Sequence, residues 1–368
     1  MSELTVDLGR FARGEDLAVD PARIDAELDR MWREIARRVR DGRPGTPAVH
    51  RACLFNLVAV AGDAHDEIVA RFVVAALTDR MPARAVVVRA RPGERDDGPH
   101  AWIASLRDPE RHGPAQVSGE LVVLAASGAG VPRLPPIVRS VLEPELSTTL
   151  WWVGAPPADA RHVAEFCGIA DRIVVDSAAF PPDADVSHAF ACRDPGRLAD
   201  LAWPRQRPWR QALARAFDVP ASRPFLARVE AVEIGVGRRA RVASAALLGG
   251  WLAEALAWDA HVPAGPGAVR FGDDGAELRV TRRDVDAEGV VDVRLVAGAE
   301  DVVLERRPAP ERVEVRVPAS FPAVRAAAFH EPRLDDVLAS AVLAAAADPI
   351  APDAIRRAAR IAADLGRA

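Results

Sequence analysis

The chain has 368 residues, of which 49% are hydrophobic and 27% are charged, and its formal net charge at pH 7 is −5. These values are typical of a globular protein with material for about two domains, and they exclude nucleic acid as a bulk electrostatic partner. All 48 basic residues are arginine. Chemistry that needs a Schiff-base lysine or a P-loop lysine is therefore excluded.

The N-terminal part predicts one amphipathic helix ahead of the main domain. Asp20-Pro21 is typical of an N-cap followed by proline at the first helical position. Apolar residues then recur at helical spacing, at Ile24, Leu28, Met31, Ile35 and Val39. Packing on its own domain is the favoured interpretation, and docking on a partner is the alternative.

Strand-like and helix-like runs then alternate. Residues 53–61, 63–80 and 83–90 predict a strand, a helix and a strand, and this βαβ unit builds parallel sheets. Further strands are predicted at 119–126, 148–154 and 171–178, with helices near 135–143 and 158–168. The prediction is an α/β fold with an open, mostly parallel sheet and flanking helices.

The pattern changes in the second half of the chain. A helix at 208–218, a strand at 228–236 and an apolar helix at 242–258 are followed by five short alternating runs, which predict an antiparallel meander in an α+β region. Gly249-Gly250 inside the apolar helix requires a close contact with a helix or sheet to offset its cost. Two alanine-rich helices follow, near 334–347 and 352–365.

These patterns divide the chain into four parts. The predicted parts are an N-terminal extension (1–45), an α/β domain (46–218), an α+β domain with antiparallel strands (219–330) and C-terminal helices (331–368).

The sequence motifs predict neither a catalytic residue nor a cofactor or metal. A G-x-G-x-x-A pattern at Gly235, Gly237 and Ala240 follows a strand, but no acidic second strand follows about 20 residues later, so a tight turn is favoured over a nucleotide site. The first turn of the βαβ unit, 60–67, carries three acids that would repel a pyrophosphate. Paired-histidine zinc spacing and a G-x-S-x-G elbow are both missing.

Three charged residues form a weak candidate anion site. Arg51 precedes the first strand, Arg84 opens the second, and Glu120 stands at the start of another. The two arginines are expected at the same sheet edge, where they could bind an anion bidentately. Solvated charges at strand ends are the alternative.

Tryptophan and arginine give the strongest chemical signal. Trp151 and Trp152 are adjacent in a strand, so they face opposite sides of the sheet, one in the core and one under a helix. Residues 200–210 read DLAWPRQRPWR and include Trp203, Arg205, Arg207, Trp209 and Arg210. Tryptophan and arginine favour hot spots of protein interfaces and are also common in cores, so a partner interface and a domain seam both stay open.

The chain resembles the glucose-6-phosphate dehydrogenase assembly protein family, OpcA. The resemblance is carried by runs between about 50 and 260, among them RACLFNLVAVA (51–61), TTLWWVGAPP (148–157), DLAWPRQRPWRQALARAFD (200–218) and SAALLGGWLAEALAW (244–258). It implies a non-catalytic protein that binds glucose-6-phosphate dehydrogenase, promotes its active oligomer and supports NADPH production by the oxidative pentose phosphate pathway. The alternative is an α/β enzyme or sensor that binds a sugar phosphate or nucleotide in a cleft at the carboxyl ends of the strands, near Arg51, Arg84 and Glu120.

The sequence departs from that family at two points. Many relatives carry His-Pro-Ser-Arg where this chain has Met81-Pro82-Ala83-Arg84, so any role of that histidine is lost here. Redox control, known in some relatives, is not carried over to Cys53, Cys167 and Cys192, because three scattered cysteines favour a reducing compartment over a disulfide framework. With neither a basic-then-apolar leader nor about 18 consecutive apolar residues, we expect a cytoplasmic protein with no membrane partner.

Overall fold

The structure is a computed structural model, and it describes most of the chain. The described residues are 17–42, 50–78, 80–106, 117–157, 159–180, 197–258, 260–272, 275–308, 311–322, 326–329, 332–343 and 350–365. The chain divides into two compact units, Met1–Val174 and Val175–Ala368.

The first unit is built on an open sheet with helices along it. Its strands are β1 (Leu17–Val19), β2 (His50–Arg51), β3 (Asn56–Ala61), β4 (Arg84–Arg91), β5 (Asp97–Leu106), β6 (Val117–Ser127), β7 (Thr148–Trp152) and β8 (Arg172–Val175). Its helices are α1 (Ile24–Gly42), α2 (Ala64–Thr78), α3 (Leu134–Val141) and α4 (Ala160–Cys167). The strand order is β1-β5-β6-β4-β3-β7-β8, with β2 paired to β6.

The central strands are parallel, as predicted. The pairs β6–β4, β4–β3, β3–β7 and β7–β8 all run in the same direction. Every residue of β3 is buried, as expected for a strand covered on both faces. Two antiparallel strands at one edge, β5 and β1, were not predicted.

The second unit is an α+β fold. Its strands are β9 (Leu198–Asp200), β10 (Ala231–Val236), β11 (His261–Gly265), β12 (Ala268–Phe271), β13 (Glu277–Arg282), β14 (Val290–Ala297), β15 (Glu300–Pro308), β16 (Glu311–Arg316) and β17 (Ala327–Ala328). Its helices are α5 (Ala202–Arg205), α6 (Arg207–Ala216), α7 (Arg223–Leu226), α8 (Val242–Ala255), α9 (Leu334–Leu343) and α10 (Ala351–Leu365).

The large sheet of this unit has the order β11-β12-β13-β10-β14-β15-β16-β17. Its pairs are antiparallel, as predicted for the meander, except that β10 and β13 run parallel. The chain leaves β10 through α8 and the β11–β12 hairpin, and it then returns as β13 beside β10 and in the same direction.

Helix α8 is buried along most of its length, and its glycine pair allows the close packing on two faces. A side chain at Gly249 would overlap Leu278 of the sheet, and one at Gly250 would overlap the backbone of Ala354 on α10. The expected close contact is therefore confirmed on both faces. Since α8 and α10 pack this closely, α10 belongs to the core of the second unit.

The predicted boundary after residue 218 differs from the division that the packing defines, which falls at Val174. The reason lies in the segment after β9. Trp203, Trp209 and Leu213 belong to the same buried cluster as Val232 and Leu295 of the second sheet. The predicted N-terminal extension likewise falls within the first unit.

Candidate functional site

Four polar residues form a buried row across the first sheet. Thr148, Asn56, Arg84 and Glu120 lie side by side on β7, β3, β4 and β6. Each is at most 6% exposed. Because parallel strands begin at the same edge of a sheet, the row marks the amino ends of the strands.

Glu120 is the centre of this row. It is fully buried, and its carboxylate receives the indole N–H of Trp32 at 2.5 Å. Arg84 Nε lies 2.6 Å from its Oε2, and Arg51 Nε contacts its Oε1. A buried carboxylate is tolerated only with such paired charges and hydrogen bonds, and these three partners supply them.

Arg84 is held by further groups. Its Nη2 donates to Glu143 Oε1 at 2.7 Å, and its Nη1 donates to the Val141 carbonyl at 2.5 Å and to Asp25 Oδ1 at 3.3 Å. Arg51 Nη1 donates to Asp29 Oδ1 at 3.0 Å. We call Arg51, Arg84, Glu120 and Glu143, together with Asp25, Asp29 and Trp32 of α1, the amino-end cluster.

Asn56 fixes the turn that carries Glu143. Its Nδ2 donates to the carbonyls of Glu143 at 2.9 Å and Leu146 at 3.2 Å, and to Thr148 Oγ1 at 3.1 Å. Its Oδ1 accepts from the Glu143 N–H at 3.0 Å. One buried amide therefore positions the carboxylate that Arg84 binds.

The three residues of the candidate anion site do come together, but in a different setting from the one expected. They lie at the amino ends of the strands, and not at the carboxyl ends where the alternative reading placed a cleft. Their two guanidinium groups face four carboxylates, those of Asp25, Asp29, Glu120 and Glu143. An added anion would meet an excess of negative charge here.

Sequence analysis missed Trp32, Asn56 and Glu143. The seam that α1 buries consists of Ile24, Leu28 and Trp32, a strict i, i+4, i+8 spacing, while Met31 is only partly buried. The spacing of four residues from Ile24 to Leu28 and on to Trp32 could thus have identified Trp32 from the sequence. The predicted helix start is confirmed, since Asp20 caps a 3-10 turn, Pro21–Arg23, that leads into α1. The favoured packing of α1 on its own domain is also confirmed.

Cys53 lies beside the amino-end cluster. Partial burial, with the Glu120 charge as a second cause, raises the pKa of its thiol to about 11. A thiol with that pKa is almost entirely protonated at neutral pH and is a poor nucleophile. Cys167 is a buried cysteine outside any disulfide, and Cys192 lies outside the described residues.

The tryptophan–arginine segment 200–210 is packed inside the second unit. Trp203 and Trp209 are 7% and 2% exposed, and Trp209 meets Phe329 edge to face at 6.2 Å. Arg210 stacks on Trp203 at 3.8 Å and donates to its carbonyl. The two indoles therefore serve the core of this unit, and a role toward a partner stays a prediction.

The remaining arginines of the segment differ in exposure. Arg205 Nη1 lies 2.7 Å from both carboxylate oxygens of Asp176, whereas Arg207 is exposed at the start of α6. Trp151 and Trp152 of β7 are both buried, and Trp152 packs against Phe166 of α4. The prediction that one of this pair lies under a helix is confirmed.

Asp200 links residue 177 to the start of α5 through its buried carboxylate. Its Oδ1 accepts the N–H of Ser177 at 3.1 Å and of Ala202 at 2.9 Å. Complete burial raises the pKa of its carboxyl group to about 6, with the charge of Asp176 adding to the rise and the hydrogen bonds from Ser177 and Ala202 opposing it. This carboxyl group therefore titrates just below neutral pH.

The loop of the G-x-G-x-x-A pattern is filled by the chain itself. The N–H groups of Gly237, Arg238 and Arg239 donate to carbonyls of Gly289, Val285 and Ala287 at 2.9–3.1 Å. Arg282 donates to three carbonyls of the same loop. Donors that a dinucleotide phosphate would need are thus already used, and the tight-turn interpretation is confirmed.

Among the described residues, no three His, Cys, Asp or Glu side chains are grouped as a metal ion would require. None of the helices in the described ranges is both long and apolar enough to cross a bilayer.

Comparison with known families gives a consistent match in two successive parts. The family model described as the glucose-6-phosphate dehydrogenase subunit N-terminal domain matches residues 74–191, and the one described as its C-terminal domain matches residues 196–355. An α/β unit followed by an α+β unit thus corresponds to the two halves of one subunit type. The chain belongs to the OpcA family of glucose-6-phosphate dehydrogenase subunits.

Curated relatives carry the same family name. Proteins called "Putative OxPP cycle protein OpcA" from a Synechocystis strain and from Nostoc punctiforme are 26% identical over 176 residues and 28% identical over 182 residues. The matches cover 47% and 49% of this chain. They span only 37% and 39% of the relatives' own length.

Solved structures give weaker likenesses. A levoglucosan dehydrogenase in complex with NADH and L-sorbose is 12% identical, with a TM-score of 0.45 over 86% of this chain and 97% of its own. A 3-ketoreductase from Actinomadura kijaniata is 11% identical, also with a TM-score of 0.45, over 83% of this chain and 94% of its own. At this level of likeness, neither a cofactor nor a substrate transfers to this chain.

Proposed function

We propose that this chain is a non-catalytic subunit that binds glucose-6-phosphate dehydrogenase and favours its active oligomer, and that it thereby supports NADPH production by the oxidative pentose phosphate pathway. The observation that carries the proposal is the ordered match of both family models, over residues 74–191 and 196–355. The name of the relatives, which refers to the OxPP cycle, supports the same pathway. A subunit that binds one oligomeric state more tightly raises its population by mass action, with no chemistry of its own.

The charge balance of the amino-end cluster weighs against the alternative of a sugar-phosphate or nucleotide site near Arg51, Arg84 and Glu120. Both arginines are paired with carboxylates, and Arg84 is almost fully buried. A phosphate would have to replace these carboxylates as the partner of the arginines, and it would still be repelled by their nearby negative charge.

Within the segment 200–210, Arg207 is the best placed side chain for a partner contact. It is exposed at the first turn of α6, while Trp203 and Trp209 support that turn from inside the unit. Prolines at positions 204 and 208 limit the backbone freedom around it, so little entropy is lost when a partner fixes it. We assign Arg207 to an ion pair with an acidic side chain of the dehydrogenase.

The test uses the dehydrogenase of the same organism. The two proteins are mixed at micromolar concentration, and the kcat, the KM for glucose 6-phosphate and the molar mass by light scattering are measured with and without this chain. We expect a larger kcat or a lower KM, together with a shift of the dehydrogenase toward one oligomer. The isolated chain is assayed in parallel as its own control.

Two results would overturn the proposal. One is unchanged kinetics and unchanged molar mass across the whole concentration range. The other is turnover of glucose 6-phosphate by the isolated chain, because that would make it an enzyme in its own right.

A further inference from the structure

The N-terminal arm, which we define as residues 17–42, is attached to the first unit by a small set of contacts. Its strand β1 pairs with β5 through only three residues, Leu17–Val19. Its helix α1 buries Ile24, Leu28 and Trp32 along one seam, and within residues 24–37 the other side chains are half-buried or exposed. An element with so few buried apolar contacts belongs to the least stable parts of a fold.

Several ion pairs of α1 join residues of the arm to one another, so they do not require contact with the sheet. Glu27 lies 3.4 Å from Arg23 and 2.6 Å from Arg30, and Glu34 lies 2.6 Å from Arg37. Pairs at these spacings stabilise an isolated helix. Helical structure can therefore persist in part when the contacts with the sheet are lost.

The surface beneath the arm is already paired without it. If α1 leaves, Glu120 keeps Arg51 and Arg84, and Arg84 keeps Glu143 and the Val141 carbonyl. The contacts that are lost are the 3.3 Å hydrogen bond from Arg84 to Asp25 and the 3.0 Å ion pair between Arg51 and the exposed Asp29. Undocking therefore leaves no buried charge without a partner, which is the usual obstacle to opening a polar interface.

We infer that the N-terminal arm is a reversible cover, which docks on and leaves the amino-end edge of the first sheet as one unit while the sheet stays folded. Trp32 supplies the main polar contact of the docked arm, because its indole N–H donates a hydrogen bond to the fully buried Glu120. Release opens the buried Glu120 to water and increases the exposure of Arg51 and Glu143, whose side chains are already 34% and 36% exposed. The inference does not rest on the proposed function, since it concerns the first unit alone.

Amide hydrogen exchange on the full chain, read by mass spectrometry, tests this directly. We expect peptides from residues 24–37 to exchange at least ~100-fold faster than peptides from β3 and β4, because the arm opens below the free energy of global unfolding. Trp32→Phe, which removes the N–H donor and keeps an aromatic ring, should speed exchange of the arm by roughly tenfold. It should leave β3 and β4 within about threefold of the wild type.

A matched pair of variants separates undocking from a general loss of stability. Leu28→Asp places a charge on the buried seam and should abolish protection of the arm while the strands stay protected. Ala26→Asp places the same residue on the exposed side of α1 and should leave the arm docked. Equal exchange rates for arm and strands in the wild type would overturn the inference. So would equal loss of protection in both regions on Leu28→Asp.

Discussion

Gly250 of α8 lies against the carbonyl oxygen of Ala354 on α10, so closely that even one methyl group would overlap it. Gly250→Ala gains about 1 kcal/mol of helix propensity but must push two packed helices apart. We expect a net loss of about 1–3 kcal/mol in the free energy of unfolding, measured by denaturant titration. Gly289→Ala is the control, because a methyl group there meets nothing within 4 Å, and its unfolding midpoint should stay near the wild type.

Arg84→Met should destabilise the first unit strongly. It removes a buried partner of Glu120 and Glu143, and breaking a buried ion pair typically costs about 3–5 kcal/mol. Arg89→Met on the same strand is the matched control, since its pair with Glu67 is partly exposed and should cost less than about 1 kcal/mol. Similar losses from both variants in chemical denaturation would show that the amino-end cluster does not depend on Arg84.

Asp200→Asn should change how stability depends on pH. The folded-state pKa of about 6 lies above the ordinary value of 3.8, so the folded chain binds this proton more tightly than the unfolded chain. The resulting stabilisation is fully present below about pH 4 and is lost as the pH rises through 6. Asparagine keeps the acceptor for Ser177 and Ala202 but cannot titrate.

When the pH falls from 7 to 4, the free energy of unfolding of the wild type should therefore rise by up to about 3 kcal/mol relative to that of Asp200→Asn. Urea titrations of both proteins at a series of pH values measure this difference. Since all other groups are shared, their contributions cancel, and a difference that is flat with pH would contradict the raised pKa.

Arg207→Glu should weaken binding to glucose-6-phosphate dehydrogenase if our assignment is right. Reversing one charge at an interface replaces an attraction with a repulsion, and we expect a Kd at least about tenfold higher, measured by titration calorimetry. Arg215→Glu, on the last turn of the same helix and also exposed, is the control. The same loss of affinity from both variants would indicate a general electrostatic effect, and no loss from Arg207→Glu would remove this residue from the interface.

Much of the fold follows from patterns that are local in sequence. The parallel strands of the first unit are short apolar runs separated by helical stretches, and the structure has them in that form. Strand β5 escaped prediction because its sequence, DGPHAWIASL, begins with turn residues and lacks regular alternation. The three residues of β1 are too few to carry any period.

The candidate site was only partly predictable. The position of Arg84 at the start of its strand already implied the amino-end edge, because parallel strands share their direction. What sequence could not give were the partners that arrive from distant elements. Trp32 is 88 residues from Glu120, and only the docking of α1 brings them together.

The contact between α8 and α10 also bears on the order of events during synthesis. The core of the second unit is completed by Ile355, Ala358 and Ile361 of α10, yet α8, against which α10 packs, ends about a hundred residues earlier in the chain. A nascent chain that has emerged through β16 thus still exposes one side of α8 to the surrounding medium. Until α10 leaves the ribosome, the exposed apolar side of α8 makes this half of the protein prone to aggregation, which chaperones prevent.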